Sequence, residues 1–176
     1  MNKRWDSPTR MRAHALPTVV RVNVKPEADH EHGLPKVAVD RAEFTVEGVA
    51  GDFNRYRHEE KQDDPAMAVL LVPIETIEQL NREGWPVAPG DLGENVTTAG
   101  IPPEALAAGR RLRVGPVTLE ISKPCTPCDN LYLLPYVGAD RGPAFLRTML
   151  DRRGWYARVV VGGPVCPGDP ISLVPD

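Results

Sequence analysis

The residues best equipped for chemistry lie in Lys123-Pro-Cys-Thr-Pro-Cys-Asp-Asn130, where Cys125 and Cys128 form a C-x-x-C pair just after a lysine. That spacing suits a redox dithiol, half of a zinc site, or a loop in which a single thiol works. Zinc needs two further ligands, yet the chain has no second C-x-x-C, His30 and His32 fall in a polar stretch, and Cys166 stands alone. A thioredoxin-like dithiol sets its first cysteine at a helix N-terminus inside a βαβ unit, which Pro127 and the strand-rich flanks do not supply. Two buried, inert cysteines are the plain alternative. A thiol beside Lys123 is better motivated, because a neighbouring cation favours the thiolate, a soft ligand for a transition metal or an acceptor of sulfane sulfur.

Three other segments carry polar groups in useful patterns. Pro89-Gly-Asp-Leu-Gly-Glu-Asn-Val-Thr-Thr-Ala-Gly-Ile101 combines Gly90, Gly93 and Gly100, which let the backbone approach a ligand, with Glu94, Asn95, Thr97 and Thr98 as donors and acceptors. The same composition also serves ordinary turns. Gly48-Val-Ala-Gly-Asp-Phe-Asn-Arg-Tyr-Arg-His58 brings Arg55, Arg57 and His58 close in sequence to Asn54 and Tyr56, and planar, multidonor arginine recognises phosphate well. Its alternative reading is a solvated charged loop leading into Glu59–Asp64. Gly154-Trp-Tyr-Ala-Arg-Val159 offers Trp155 and Arg158 to a pocket rim, or Trp155 to the core.

Short strands must position these segments. Thr18–Val24 alternates with Thr18, Val20, Val22 and Val24 on one face, as a half-buried strand does. Val37–Val39 and Ala42–Val49 repeat the pattern, with Phe44 and Val46 inward, and the continuous apolar run Ala66–Val72 suits a strand buried on both faces. Further strands are expected at Val96–Thr98, Arg110–Val114, Val117–Ser122, Tyr156–Val161 and Ile171–Val174. Two helices are expected, one of about ten residues opening at Pro73 and stopped by Gly84, with Ile74, Ile77 and Leu80 on one face, the other over Pro143–Arg152. The predicted fold is mainly β, a single closed or partly open β-barrel with about two short helices, since closure removes the edges that many short strands would expose.

Composition agrees. Nineteen Pro and fifteen Gly among 176 residues, well above the usual share of roughly 12 per cent, leave few stretches long enough for a helical bundle. The net charge of −3 carries no long single-sign run, which argues against a nucleic-acid or membrane-surface binder and for small-molecule partners. No apolar run approaches the ~18 residues of a membrane span, the amino end lacks a secretory h-region, and three cysteines cannot complete a disulfide framework. These features point to the cytoplasm. Residues 1–17 are expected to be a flexible tail and 18–176 one folded domain.

Taken in order, the segments resemble the MOSC domain, the module named for the carboxyl-terminal part of molybdenum cofactor sulfurase. The resemblance runs from about Val19 to Leu173 through Gly51-Asp52, the helix from Pro73, the Pro-Gly-Asp-x-Gly-Glu-Asn loop at 89–95, Pro127-Cys128-Asp-Asn-Leu131, and Gly154-Trp-Tyr-Ala-Arg158 followed by Gly168-Asp169. It implies a barrel-like fold and one reactive cysteine, matched here by Cys128. It further implies molybdenum cofactor (molybdopterin) as ligand, with Cys128 as the molybdenum thiolate. Asp52, Asn54, Arg55, Arg57, Gly93, Glu94, Asn95, Thr97, Lys123 and Arg158 are the residues expected to hold the cofactor. Many members carry Arg at the position of Cys125, and Arg-His where this chain has Phe53-Asn54. The pyridoxal phosphate chemistry of full sulfurases belongs to a different domain, so no Schiff-base lysine is expected here.

Through members such as the amidoxime-reducing proteins, the resemblance implies reduction of N-hydroxylated compounds; the electrons would come from a separate donor protein, because the chain has no dinucleotide fingerprint and no iron–sulfur cysteine set. The alternative, also implied by the resemblance, is a sulfur carrier in which Cys128 takes a persulfide from a sulfur donor for delivery to a cofactor or metal-sulfur cluster, with Cys125 placed to resolve it. A non-catalytic small-molecule binding module is a third. A homodimer is compatible with all three.

Overall fold

The structure is a computed structural model and describes residues 16–28 and 33–175. The segment 1–15 of the expected tail, and His30 and His32, lie outside the described residues. Eleven strands and three helices follow one another as β1 (Thr18–Val24), β2 (Val37–Val39), β3 (Ala42–Thr45), β4 (Gly48–Val49), α1 (Arg55–Lys61), β5 (Val69–Pro73), α2 (Ile74–Arg82), β6 (Val96–Ala99), β7 (Arg111–Val114), β8 (Val117–Pro124), α3 (Gly138–Thr148), β9 (Trp155–Val161), β10 (Gly163–Val165) and β11 (Ile171–Leu173).

Eight strands form one sheet in the order β11-β7-β8-β9-β5-β6-β1-β2, while β10, β3 and β4 make a second, three-stranded sheet. All neighbours are antiparallel except β5 and β6, whose connection carries α2 across the sheet, as a parallel pair requires. The ladder is not continuous around a barrel, but its two ends approach each other. Val19 N–H donates to Asp169 O (2.9 Å), Gly168 N–H to Val19 O (2.8 Å) and Ile171 N–H to Pro17 O (2.7 Å). The first half of β1 therefore faces the start of β11 while its second half pairs with β2, giving the partly open form of the expected barrel.

Two apolar layers result. The inner one gathers Val19, Val22, Phe44, Leu71, Val96, Leu112, Leu119, Ile121 and Ala157 inside the curved sheet. The outer one packs Leu70 and Val72 from the other face of β5 against Ile77 and Leu80 of α2, Phe145 of α3, and Trp85, Leu92, Leu131 and Cys125. Residues Val69–Val72 are buried on both faces, which is why that run is continuously apolar rather than alternating.

Several expectations are corrected. A bulge between Val19 and Arg21 breaks the alternation of β1, so Val19, Val22 and Val24 line the inner core while Val20 packs against the outer one. The run from Ala42 to Val49 is a hairpin of two strands, and its turn leaves Val46 exposed. Pro65–Met67 is a 3-10 turn, so the buried strand starts at Val69. Gly163–Val165, for which no strand was expected, pairs with β3. The charged segment after Asn54 is a third helix: Asn54 Oδ1 accepts from Arg57 N–H at 3.1 Å as an N-cap, and none of its residues is buried. The last helix spans Gly138–Thr148 with Pro143 inside it, rather than opening at that proline.

Candidate functional site

The end of β8 and the start of β9 deliver the site. Lys123 pairs with Tyr156 and Pro124 with Trp155, and Cys125 N–H then donates to Gly154 O at 2.9 Å. The register thus sets the C-x-x-C loop directly against the Arg153-Gly154 corner. Gly154 has φ +91°, and a Cβ there would stand 2.2 Å from Leu71 O, so only glycine lets the chain turn this closely over β5. From this corner the Arg153 side chain runs inward, 5% exposed. Its Nε and Nη2 donate to Leu92 O at 3.2 and 3.1 Å, and its Nη1 reaches Cys128 Sγ at 3.7 Å.

The two cysteines occupy different environments. Cys128 is exposed, whereas Cys125 is buried in the outer core, where desolvation pushes its thiol up and the Arg153 charge offsets part of that effect. Burial likewise raises the Tyr156 hydroxyl, which hydrogen-bonds Cys125 and stays protonated. Around the thiols lies a cleft of about 530 Å³ lined by Tyr56, Lys61, Met67, Lys123, Cys125, Cys128, Asp129, Arg153 and Tyr156 among others. Lys123 Nζ stands 3.3 Å from Asp64 Oδ2 at the rim, and Lys61 Nζ lies 5.3 Å from the Tyr56 ring.

A second cleft of about 500 Å³ adjoins the first, sharing Met67 and Tyr156 as walls. Asp52, Asn54, Arg57 and Asn95 line it. The Arg57 guanidinium is fixed by three backbone carbonyls, with Nε on Asp64 O (3.0 Å) and Nη2 on Glu47 O (2.7 Å) and Asp63 O (2.8 Å). Its Nη1 faces Gly48 of the lining, 3.1 Å from where a Cβ would stand. Asp52 and Asn95 are themselves engaged: Asp52 Oδ2 accepts from Lys36 Nζ (2.7 Å) and Asn95 Nδ2 (2.9 Å), and Asn95 Oδ1 accepts from Leu70 N–H (3.1 Å).

The residues expected at the site from sequence thus separate. Lys123 joins Cys125 and Cys128, while Asp52, Asn54, Arg57 and Asn95 join one another next door. Glu94 and Thr97 are fully buried, with Glu94 Oε1 accepting from Gly90 N–H (2.6 Å) and Thr97 Oγ1 (2.9 Å), and Gly93 is buried beside them. Their loop reaches the thiol indirectly, since Leu92 O within it holds Arg153. Arg55 pairs with Glu59 at 2.8 Å along α1. Arg158 is exposed and pairs with Glu120 at 2.5 Å, and Trp155 packs against the inner core. Arg153 is the residue that sequence reasoning missed. Its signal was the arginine pair before Gly154, of which Arg152 turns outward to Glu83 (2.8 and 3.0 Å) and Arg153 inward. A guanidinium therefore stands beside the thiols from position 153.

Among the described residues no group of three or more His, Cys, Asp or Glu could hold a bare metal ion. No helix of the described residues is long and apolar enough to cross a membrane.

The MOSC domain model matches residues 55–172, about two-thirds of the chain and all of both clefts' α1, β8 and β9 walls. The chain belongs to the MOSC family. Solved structures similar to this MOSC protein include YiiM from Geobacillus stearothermophilus (TM-score 0.68, 23% identity, 90% of this chain and 75% of that one). YuaD from Bacillus subtilis is also similar (TM-score 0.69, 21% identity, 89% and 94%), as is YiiM from Escherichia coli (TM-score 0.65, 23%, 92% and 71%). At these identities the likeness speaks for the fold. A protein from Gibberella moniliformis named "Reductase" is 34% identical over 88 residues, which are 48% of this MOSC chain and 15% of that protein.

Proposed function

We propose that this MOSC protein binds molybdenum cofactor across its two adjoining clefts, with Cys128 as the thiolate ligand of molybdenum, and reduces N-hydroxylated compounds. The observation that carries the reading is the exposed Cys128 Sγ set 3.7 Å from the buried Arg153 guanidinium at the head of a cleft. A soft sulfur donor beside a fixed cation suits a soft, anionic metal–dithiolene group. The name of the Gibberella relative, "Reductase", supports the same direction.

Each side chain then has a physical task. Cys128 offers one thiolate from a loop anchored by the Cys125–Gly154 backbone bond, so its direction is set by the sheet. Arg153 balances negative charge in the cleft without leaving it, because Leu92 O holds two of its nitrogens. Lys123 and Lys61 at the rim attract the anionic ligand. Arg57, already immobilised by three carbonyls, presents Nη1 to the second cleft, where a phosphate would find a rigid donor. Met67 and Tyr156, walls of both clefts, face whatever spans them. Held by these residues, the cofactor would supply oxygen-atom transfer chemistry, with an external protein as the electron source.

Protein made in a host that synthesises the cofactor, then denatured and oxidised, should release about one fluorescent pterin per chain. Arg57→Ala should lower that yield several-fold, measured at a temperature where the variant is still folded by circular dichroism, since its side chain also holds three backbone carbonyls. Pterin no higher than in an unrelated protein purified in parallel sinks the proposal.

A further inference from the structure

We propose that the outward face of β11, β7, β8 and β9 docks the electron donor, a small acidic electron-carrier protein. The inference rests on the reductase reading above, which needs electrons from outside the chain, and it names the surface that receives their carrier. α2 and α3 cover the outward face of the eight-stranded sheet beside β5. Toward β11 that face is bare, and Arg111 and Arg113 of β7, Arg158 and Val160 of β9 and Ser172 of β11 are exposed on it. In one row across the strands Glu120 sits between two arginines, with Arg111 Nε at 2.9 Å and Arg158 Nη2 at 2.5 Å. In the next row Arg113 stands between Ser172 and Thr118, with no carboxylate opposite it. Solvation of the face would be met by side chains of either sign. Three arginines against one glutamate instead make it positive, on a chain whose net charge is −3.

Place and size both fit such a partner. Alternate side chains of β9 run from Tyr156, a wall of the Cys128 cleft, to Arg158 and Val160, so Arg158 stands about 7 Å along the strand from that wall. A carrier seated on the arginines therefore lies beside the cleft and leaves its mouth, between α1 and the C-x-x-C loop, open to substrate. Four strands span roughly 15 Å, which gives the small, polar contact of a weak electron-transfer encounter rather than the large apolar one of a permanent complex. Arginines fixed on a sheet steer an acidic carrier to this spot by charge and release it after each delivery.

The probe is a plant-type ferredoxin, a small acidic [2Fe–2S] carrier, titrated into cofactor-free protein at low salt. It should bind, and the affinity should fall severalfold as ionic strength rises. Arg113→Glu, which loses no ion pair across the sheet, should weaken binding roughly fivefold, and Arg111→Glu/Arg113→Glu more than tenfold, with both variants folded by circular dichroism. Arg41→Glu, a charge reversal at an exposed position outside this face, should leave the affinity unchanged. In protein from a cofactor-making host the double variant should slow reduction of a hydroxylamine driven by ferredoxin but not by dithionite, which needs no docking. No salt-sensitive ferredoxin binding, or equal affinity in wild type and the double variant, overturns the proposal. So does binding of a single-stranded DNA oligonucleotide to the same arginines in preference to ferredoxin. Pterin content is read separately, so retained pterin without ferredoxin binding overturns the docking face alone, and arginine-dependent ferredoxin binding without pterin overturns the cofactor reading alone.

Discussion

Asp52 and Glu94 both belong to the polar signature by which the chain resembles its family, and the fold uses them differently. The Asp52 carboxylate meets Lys36 at 2.7 Å with the two side chains 8% and 1% exposed, and it also takes Asn95 Nδ2 and the Lys25 N–H. Removing one member of a buried pair strands the other charge, so Asp52→Ala should cost about 3–5 kcal/mol in urea unfolding. The double variant with Lys36→Met should recover much of that loss, and an additive double variant contradicts the account. Glu94 is fully buried with Oε2 lacking a partner among the described residues, and burial raises its carboxyl above the ordinary 4.5, more than the Gly90 N–H and Thr97 hydroxyl lower it. The folded chain therefore keeps this proton to higher pH than the unfolded chain. Stability contributed by the neutral form is present below about 4.5 and declines as pH rises toward the raised folded value. Glu94→Gln should flatten that part of the melting temperature against pH, and an unaltered slope would rule the assignment out. At this scale the sequence was only partly legible. Residue types showed that Asp52, Glu94 and Asn95 mattered, but a carboxylate that binds a ligand and one that binds a buried lysine look the same in a string. Arg153 was missed because the arginine pair before Gly154 does not say which member turns inward; that depends on Leu92 and Cys128, each far from it along the chain.

The elements were more legible where one periodicity governed them. Ile74–Arg82 follows its apolar spacing, and Val69–Val72 shows the unbroken apolar run of a strand covered on both sides. α1 escaped because it buries no residue, so no apolar stripe announced it, and β10 escaped because Gly163 and Pro164 carry turn chemistry into a strand. Pro143 misled for a related reason, since a proline that commonly opens a helix here sits within one held by Phe145 and Trp85, whose rings lie 4.7 Å apart. The β8–β9 pair is the element on which the site depends. Gly154→Ala would drive a Cβ into Leu71 O and force a residue at φ +91°, so it should destabilise by about 3 kcal/mol or more and move Arg153 off the cleft. Iodoacetamide labelling of folded Gly154→Ala protein should report a changed Cys128 rate; wild-type stability and labelling together would contradict this view of the corner.

For the whole molecule, the expected barrel and the observed one differ at the seam. Pattern alone argued for a closed or partly open barrel, and the sheet stays open as a ladder, with only backbone bonds between Pro17–Val19 and Gly168–Ile171 linking its two sides. Ile171, 4% exposed at that seam, anchors the closing strand in the inner core. Ile171→Ala should cost about 2–5 kcal/mol and speed hydrogen exchange at the Val19 and Gly168 amides beyond that at the outer-core amide of Leu131. Uniform acceleration across all three would show that the seam is not a separate unit. One cleft lies between α1 and the C-x-x-C loop, and the other adjoins it behind Met67 and Tyr156. The central claim is that Cys128 ligates molybdenum there. Molybdenum per chain, measured on wild type and Cys128→Ser purified from the same cofactor-making host, tests it most directly. The account predicts near one atom per chain in wild type and a severalfold loss in the serine variant; equal content in the two, whether high or near zero, would contradict it.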